Sequence, residues 1–385
     1  RLERRGRSDP RGMSPHSGGV AAAAPPRLGE SSTQAAQLSD FDVLGALGTG
    51  STAEVLLVRR TQSGTLHAMK MISKSSLGSA RAVEQVIEEN RILQTLRHPF
   101  IVGLHHAFQD AKYFFLVLTY AGGGDILTFL ESRGRMAENM ARLVLGEVSL
   151  ALQHLHEQRV VYRDLKPENI LLGVDGHIVL ADFGIAKRLL GHGGAAPPAS
   201  TSTICGTPEY MAPEVLTSGG YSYSVDWWAA GVLLFEVLVG HTPFQAAGMQ
   251  ELVAKLCDLS LRPDIPDFVG PQARNLLCKM LMIDAAQRLG CGDAGAWEVR
   301  GHPFFDGLDW EGLLRKELVS PLASGPGKAG GAAAEGLDVV NAKADAIVEL
   351  SRNFPSYTSA SPAPARADGD GVRGARQTSA GRGAK

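Results

Sequence analysis

The sequence predicts an α+β protein of two lobes: a small antiparallel β-sheet lobe with one main helix, then a larger, mainly helical lobe. Three observations predict it. Strand-like segments crowd into residues 41–120 around a single helical stretch. Helical periodicity takes over after the glycines at 122–124. Two polar blocks, Tyr162-Arg163-Asp164-Leu165-Lys166-Pro167-Glu168-Asn169 and Asp182-Phe183-Gly184, lie early in the helical half, each against a short apolar run.

The elements follow in order. Residues 1–39 are rich in Ala, Gly, Ser, Pro and Arg without apolar periodicity, and are expected to be a disordered tail. At Phe41 the texture changes. Residues 41–47 read as a strand entering a glycine turn, 54–59 as the strand leaving it, and 67–72 as a third. Val83, Val86, Ile87, Leu93 and Leu96 recur at roughly helical spacing. Residues 102–106 and 113–120 read as strands again. Val144, Leu145, Val148, Leu152 and Leu155 form one stripe of a helix over 140–156. Residues 224–240 are so apolar that a helix there must be buried nearly all round. Segments 245–258 and 270–282 continue the helical pattern, and Gly301-His302-Pro303-Phe304-Phe305 is expected to close the compact part. Beyond it the composition returns to Gly, Ala, Ser and Pro, with a short island at 347–357. The expected organisation is therefore a tail (1–39), a two-lobed domain (41–305, divided into lobes 41–118 and 122–305), a C-terminal extension (306–360) and a basic disordered tail (361–385).

Bulk properties narrow the function classes. A chain of 385 residues suits one large two-lobed domain with tails. A net charge of −2 argues against general nucleic-acid binding, which needs a basic surplus. Apolar runs such as 114–118 and 229–234 fall far short of the ~20 residues of a membrane span. Four cysteines without C-x-x-C spacing suggest reduced thiols, hence an intracellular protein, cytoplasmic or nuclear.

The chemistry sits in four places. Gly48-Thr49-Gly50-Ser51-Thr52-Ala53-Glu54-Val55 lies between two strands, where backbone N–H groups can approach phosphates. A strand, not a helix, follows it, which disfavours a dinucleotide-binding fold. Lys70 ends a strand whose burial would be costly without a counter-ion, and Glu89 in the next helix is the expected partner. Asp164 is the candidate base for a substrate hydroxyl, and Lys166 can steady migrating phosphoryl charge. Asn169 and Asp182 offer the hard oxygen ligands that suit Mg²⁺.

The Tyr162 and Asp182 blocks resemble the catalytic and metal-binding loops of eukaryotic protein kinases. Thr203-Ile204-Cys205-Gly206-Thr207-Pro208-Glu209-Tyr210, Tyr162 in place of the commoner histidine, and Asp226-Trp227-Trp228 sharpen the resemblance to the AGC group of serine/threonine kinases, which includes the cAMP-dependent kinase and protein kinase B. The resemblance covers about 41–305 and implies the two-lobed protein-kinase fold, with ATP and Mg²⁺ between the lobes. Leu47, Gly48, Thr49, Gly50, Ser51, Thr52 and Ala53 would roof the phosphates. Val55 and Ala68 above and Leu171 below would enclose the adenine, with Leu118, Thr119 and Ala121 in the hinge. Lys70 and Glu89 would position phosphates, and Thr207 would contact the Asp164 and Lys166 pair. Glu214 would pair with Arg288. Thr203 would be phosphorylated by an upstream kinase, its phosphate bridging Arg163 and Lys187. Asp125, Glu168 and Glu236 would grip arginines upstream of the acceptor, so protein substrates with basic residues before Ser/Thr are expected. Phe354, Tyr357 and Thr358 resemble a hydrophobic motif with a second phosphorylation site.

Three departures from the family pattern stand out. Ala53 replaces the third glycine of the loop. A Gly/Ala/Pro-rich stretch lengthens 191–200. Gln85 stands where relatives often carry a histidine that reaches the loop phosphate, so weaker coupling between loop and helix is expected. The alternatives are a catalytically silent scaffold on the same fold and a small-metabolite kinase, which the 206–214 block disfavours.

Overall fold

The computed structural model describes residues 36–323 apart from 51–52, 190–200, 202, 204, 218–219, 257 and 259–261. The expectations for Ser51, Thr52, the 191–200 stretch, residues 1–35 and 324–385, and with them Phe354, Tyr357 and Thr358, lie outside the described residues.

Nine strands are described: β1 (Phe41–Thr49), β2 (Ala53–Arg60), β3 (Leu66–Ser73), β4 (Leu104–Gln109), β5 (Tyr113–Thr119), β6 (Val160–Val161), β7 (Ile170–Leu172), β8 (Ile178–Leu180) and β9 (Lys187–Arg188). The first five form one antiparallel sheet in the order β1-β2-β3-β5-β4, while β6 pairs with β9 and β7 with β8. The helices are α1 (Ala80–Thr95), α2 (Ile126–Arg133), α3 (Glu138–Glu157), α4 (Pro213–Thr217), α5 (Ser224–Val239), α6 (Met249–Leu256), α7 (Pro271–Met280), α8 (Ala296–Arg300) and α9 (Trp310–Leu314).

Strand alternation sorts the small sheet into two faces. Register pairs Leu56 with Met69 and Met69 with Val117, so these buried side chains share one face with Val58 and Phe115. The opposite face carries Val55, Ala68 and Lys70, paired in register as Val55 with Lys70 and Ala68 with Leu118. That second face roofs the cleft. The expected strand at 102–106 begins instead at Leu104. The residues before it are bonded to the large lobe: Val102 N–H donates to the Leu180 carbonyl and Leu180 N–H to the Phe100 carbonyl, both at 2.9 Å.

In the large lobe α3 and α5 are the axial helices. The predicted α3 stripe is fully buried, and α5 is buried nearly all round as its apolarity required. Gly240, at φ +98°, ends α5 in the left-handed conformation that glycine tolerates best. Helix α2 was not foreseen, although Asp125 followed by Ile126, Phe129 and Leu130 carries a cap-plus-stripe signal. The compact part also runs past Phe305. Asp309 caps α9, Leu313 is fully buried, and Ser320 Oγ donates to the Gly176 carbonyl at 2.6 Å. Composition hid this, because Leu308, Trp310 and Leu313 stand apart in a polar context.

The lobes meet near His98, which links α1 to β4. Its ring stacks on His154 of α3 at 5.1 Å. Burial, then the neighbouring His154, pulls the His98 imidazole down to about 4. His98 is thus neutral in the fold but protonates near 6.5 when unfolded, so its contribution is complete above that pH and is lost as pH falls toward 4. The loss should reach about 2 kcal/mol at pH 5. The pH dependence of thermal stability between 7 and 5 should therefore be shallower in His98→Gln by about that amount; equal slopes for the two proteins would refute it.

Candidate active site

The polar loop between β6 and β7 is held from below by one buried carboxylate. Asp226, in the first turn of α5 and 0% exposed, accepts Tyr162 N–H at 3.0 Å and Arg163 N–H at 2.8 Å, with His156 Nε2 at 2.8 Å. These bonds stabilise a backbone in which Arg163 has φ +70°, a costly conformation for a non-glycine residue. Asp226 was quoted in the sequence only as part of a motif. A lone carboxylate at the start of an otherwise apolar helix was the available signal for its anchoring role.

On this base the loop presents Asp164, Lys166 and Asn169. Asn169 Nδ2 donates to the Asp164 carbonyl at 2.8 Å and to Asp164 Oδ2 at 2.7 Å, which fixes the carboxylate. Lys166 Nζ lies 3.2 Å from Asp164 Oδ1 and 3.1 Å from Thr207 Oγ1. Thr207 thus touches the lysine of the expected Asp164 and Lys166 pair. The β7–β8 hairpin brings in the second loop, because Ala181 N–H donates to the Asn169 carbonyl at 2.9 Å. Asp182 follows at φ +47°. Tyr162, fully buried, packs its ring against Phe183 at 5.1 Å and donates its hydroxyl to the Ala181 carbonyl. Burial, then the nearby carboxylates, raises that phenol well above its ordinary range.

The two lobes are joined electrostatically at Lys70. Its Nζ is 2.7 Å from Glu89 Oε1 and 2.9 Å from Asp182 Oδ1. Burial disfavours the ammonium, but Glu89 and Asp182 outweigh it and raise the Lys70 pKa, so the lysine stays charged. Burial also opposes ionisation of Asp182, and Lys70 reverses this, holding the Asp182 carboxyl below its usual range. Residues from β3, α1 and the segment after β8 thus converge on one point.

Above them, β1 and β2 form an antiparallel hairpin, with Gly48 opposite Val55, Thr49 opposite Glu54, and Gly50 N–H donating to the Ala53 carbonyl at 2.8 Å. Leu47 is exposed at the rim, while Val55, Ala68 and Leu171 are half-buried and Leu118 is buried. Thr119 turns its hydroxyl to His105 at 3.0 Å, and Ala121 is half-buried just beyond the strand.

The expected Glu214–Arg288 pair is present and bidentate, at 2.7 and 2.9 Å. The local bonds around Thr203 are those of its unmodified hydroxyl, to which the expected phosphate bridge does not apply. Lys187 Nζ binds Thr201 Oγ1 at 2.9 Å. Arg163 is engaged by the Ile185 carbonyl and by Tyr221 Oη, whose own hydroxyl donates to the Thr203 carbonyl. The Thr203 hydroxyl instead meets Arg81 of α1 at 3.2 Å. Neither Arg81 nor Tyr221 was singled out from the sequence. Of the three carboxylates expected to grip substrate arginines, Asp125 uses Oδ1 to cap α2 through Thr128 N–H at 2.7 Å. Glu236 accepts the Tyr210 hydroxyl, and burial, with Glu168 and Glu209 nearby, pushes its carboxyl up. Glu168 is exposed.

A cleft between a five-stranded sheet lobe and a helical lobe, with a buried lysine–carboxylate pair facing a loop aspartate, defines a protein-kinase-type phosphotransferase. Residues 41–305 match the protein kinase domain family, and the chain belongs to it. It is 39% identical over 284 residues to cAMP-dependent protein kinase type 3 of Saccharomyces cerevisiae, covering 74% of this chain and 69% of that one. It is 40% identical over 285 residues to a RAC family serine/threonine-protein kinase homolog of Dictyostelium discoideum, spanning 62% of that protein. It is 42% identical over 293 residues to ribosomal protein S6 kinase alpha-4 of Homo sapiens, of which it spans 37%. These are AGC-type relatives, and the chain is an ATP-dependent protein serine/threonine kinase. Among the described residues no helix is long and apolar enough to cross a membrane.

Proposed function

We propose that this kinase is basophilic, that it uses Mg²⁺ with ATP, and that phosphorylation of Thr203 by an upstream kinase raises its activity. The observation that carries the reading is the convergence of Lys70, Glu89 and Asp182 on one side of the cleft with Asp164, Lys166 and Asn169 on the other. The residues fit a magnesium nucleotide. Asn169 uses its amide nitrogen on Asp164, which leaves its carbonyl oxygen for a cation, and Asp182 supplies a carboxylate. Two protein oxygens suit Mg²⁺, which commonly takes its remaining ligands from water and phosphates. Bound Mg·ATP supplies the phosphoryl group and neutralises its charge.

The chain's own residues do the positioning. Lys70, kept protonated by two carboxylates, offers a fixed positive charge to phosphate oxygens. Asp164, pinned by Asn169, orients a substrate hydroxyl and takes its proton. Lys166, already bridging Asp164 and Thr207, faces the charge that shifts during transfer. The catalysis asked of the protein is orientation and electrostatics.

The basophilic preference rests on Glu168 and Glu236, with Asp125 contributing its second oxygen. Peptides with arginines two and three residues before the acceptor should react at least ~10-fold better than alanine versions, as expected for charge-assisted bidentate pairing. Equal kcat/KM for both sets would remove the preference. We place the protein inside the cell, in cytoplasm or nucleus; fractionation of tagged protein tests that.

A further inference from the structure

We propose that His105 is a positioning residue for nucleotide binding: from the outer face of the small sheet it fixes the strand end that leads into the hinge, and it does so in its neutral form. The inference rests on the reading of the cleft as a Mg·ATP site. Thr119 is the last residue of β5, and beyond it the chain crosses to the large lobe, where Gly123 N–H donates to the Leu172 carbonyl at 2.8 Å. The end of β5 is thus the last small-lobe anchor before the crossing. Its neighbour Leu118 pairs with Ala68 on the face that roofs the cleft.

Three contacts hold Thr119. It is paired in register with His67. Its N–H donates to the Gly103 carbonyl at 2.9 Å, and its hydroxyl lies 3.4 Å from the same carbonyl. A carbonyl only accepts, so the hydroxyl gives its proton there and receives Nε2–H of His105 at 3.0 Å. A bulge brings His105 to this place. Leu104 pairs with Leu118 and His106 with Val117, so His105 is the extra residue of β4. It meets His67 on the face where His106 meets Phe41, opposite the cleft.

The surroundings oppose a positive charge on this ring. His67 is buried, its ring centroid 4.7 Å away, with Nε2 2.9 Å from Thr65 Oγ1. Arg97 before β4, Arg60 at the end of β2 and His106 of β4 are the other cationic or titratable groups nearby, and Asp40 before β1 is the carboxylate, which acts on His106. Desolvation, then Arg97 and Arg60, lowers the His105 pKa; desolvation, then His105, His106 and Arg60, lowers that of His67. Protons on both rings would set two cations side by side. The relief is movement of His105 away from His67, which withdraws its bond from Thr119. A fixed strand end therefore goes with neutral His105, and by reciprocity a bound nucleotide favours the neutral ring.

The test uses the full chain, with KM for Mg·ATP and kcat on a basic peptide read between pH 7.5 and 5.5, and with the His105 ring titrated by NMR with and without Mg·ATP. At pH 7.5 His105→Ala should raise KM for Mg·ATP about fivefold, the net worth of one hydrogen bond, while kcat changes by no more than about twofold. His105→Gln, whose amide still donates to Thr119 and does not titrate, should restore the KM. In the wild type KM should rise as pH falls below 6.5, about twofold more than in His105→Gln by pH 5.5. His67→Phe, a ring without a charge, should flatten that rise. The His105 pKa should be lower with nucleotide than without it. A KM in His105→Ala equal to wild type overturns the inference and leaves the Mg·ATP reading standing. A loss that His105→Gln fails to repair marks His105 as merely structural and also overturns it. Parallel acid profiles in wild type, His105→Gln and His67→Phe, or a ring pKa indifferent to nucleotide, overturn the role of the neutral form. A wild type that binds no Mg·ATP overturns both the inference and the reading beneath it.

Discussion

Asp164→Asn is expected to lower kcat by about three orders of magnitude, within the range found for removal of a positioned general base, while KM for Mg·ATP changes by no more than a few-fold. The separation follows from geometry. Lys70 would hold the nucleotide phosphates and Asp182 their cation, and among the described residues Asp164 has no bond to either. The carboxylate instead sits between Asn169 Nδ2 and Lys166 Nζ, the place for a group that receives a hydroxyl proton. Asparagine is nearly the same shape and keeps one acceptor, so the loop should hold through the bonds to Asp226. It cannot hold the proton, and it presents an amide to one of two donors, which slightly loosens Lys166. A melting temperature within a few degrees of wild type, with phosphate incorporation into a mixed peptide pool reduced to trace level, is the expected result. A kcat within tenfold of wild type would exclude Asp164 as the base and revive the reading in which this site serves binding alone.

How much of this was legible in the sequence depends on the kind of residue. Motif residues that chemistry requires at fixed spacing, such as Asp164, Asn169 and Asp182, were readable because few other roles demand that set. Strands β7 and β8 were readable because each is an uninterrupted apolar triplet beside a polar loop. The Lys70–Glu89 contact was inferable from the cost of burying a lone charge. Other features were hidden for physical reasons. Asp226 reaches the loop from the far side of the large lobe, and only the tertiary packing of α5 reveals which backbone groups it satisfies. Arg81 meets Thr203 across the lobe boundary, and nothing local in a charged, exposed first turn indicates a distant partner. The domain boundary at Phe305 coincides with the end of the family match, but the ordered turn beyond it was hidden because α9 is a single capped turn that packs Leu313 against α3. Asp125 shows the opposite limit: the sequence allowed a substrate role, and the structure adds a capping role that uses one of its oxygens.

Arg288→Ala is expected to destabilise the large lobe by about 3–5 kcal/mol, the range for breaking a buried ion pair by deleting one partner, and to lower Tm on the order of 10 °C for a domain of this size. The Arg288 side chain is 0% exposed. It serves five acceptors: both Glu214 oxygens at 2.7 and 2.9 Å, Ser224 O at 2.8 Å, Met282 O at 3.0 Å and Ile283 O at 3.4 Å. Truncation orphans buried carbonyls and leaves the Glu214 carboxylate without its counter-ion. The pH dependence supplies a sharper signature than Tm alone. Burial works against ionised Glu214, and Arg288 overcomes it, so the folded pKa lies below the ordinary carboxyl value. In the wild type this contribution is present above the unfolded pKa near 4.5 and is lost as pH falls through the folded value. Without Arg288 burial is opposed only by the Ser224 hydroxyl and a backbone hydrogen bond, so the folded pKa moves up and the stability lost on acidification should be smaller in the variant than in wild type. Activity should fall as well, because Ser224, which donates its hydroxyl to Glu214 at 2.7 Å, lies two residues before the Asp226 that holds the catalytic loop. Arg288→Met combined with Glu214→Leu removes both charges and should recover much of the stability, as replaced buried pairs often do. If Arg288→Ala shifts Tm by less than about 3 °C, or if its stability falls with acid in parallel with wild type, the pair is not what joins the 213–226 segment to the lobe.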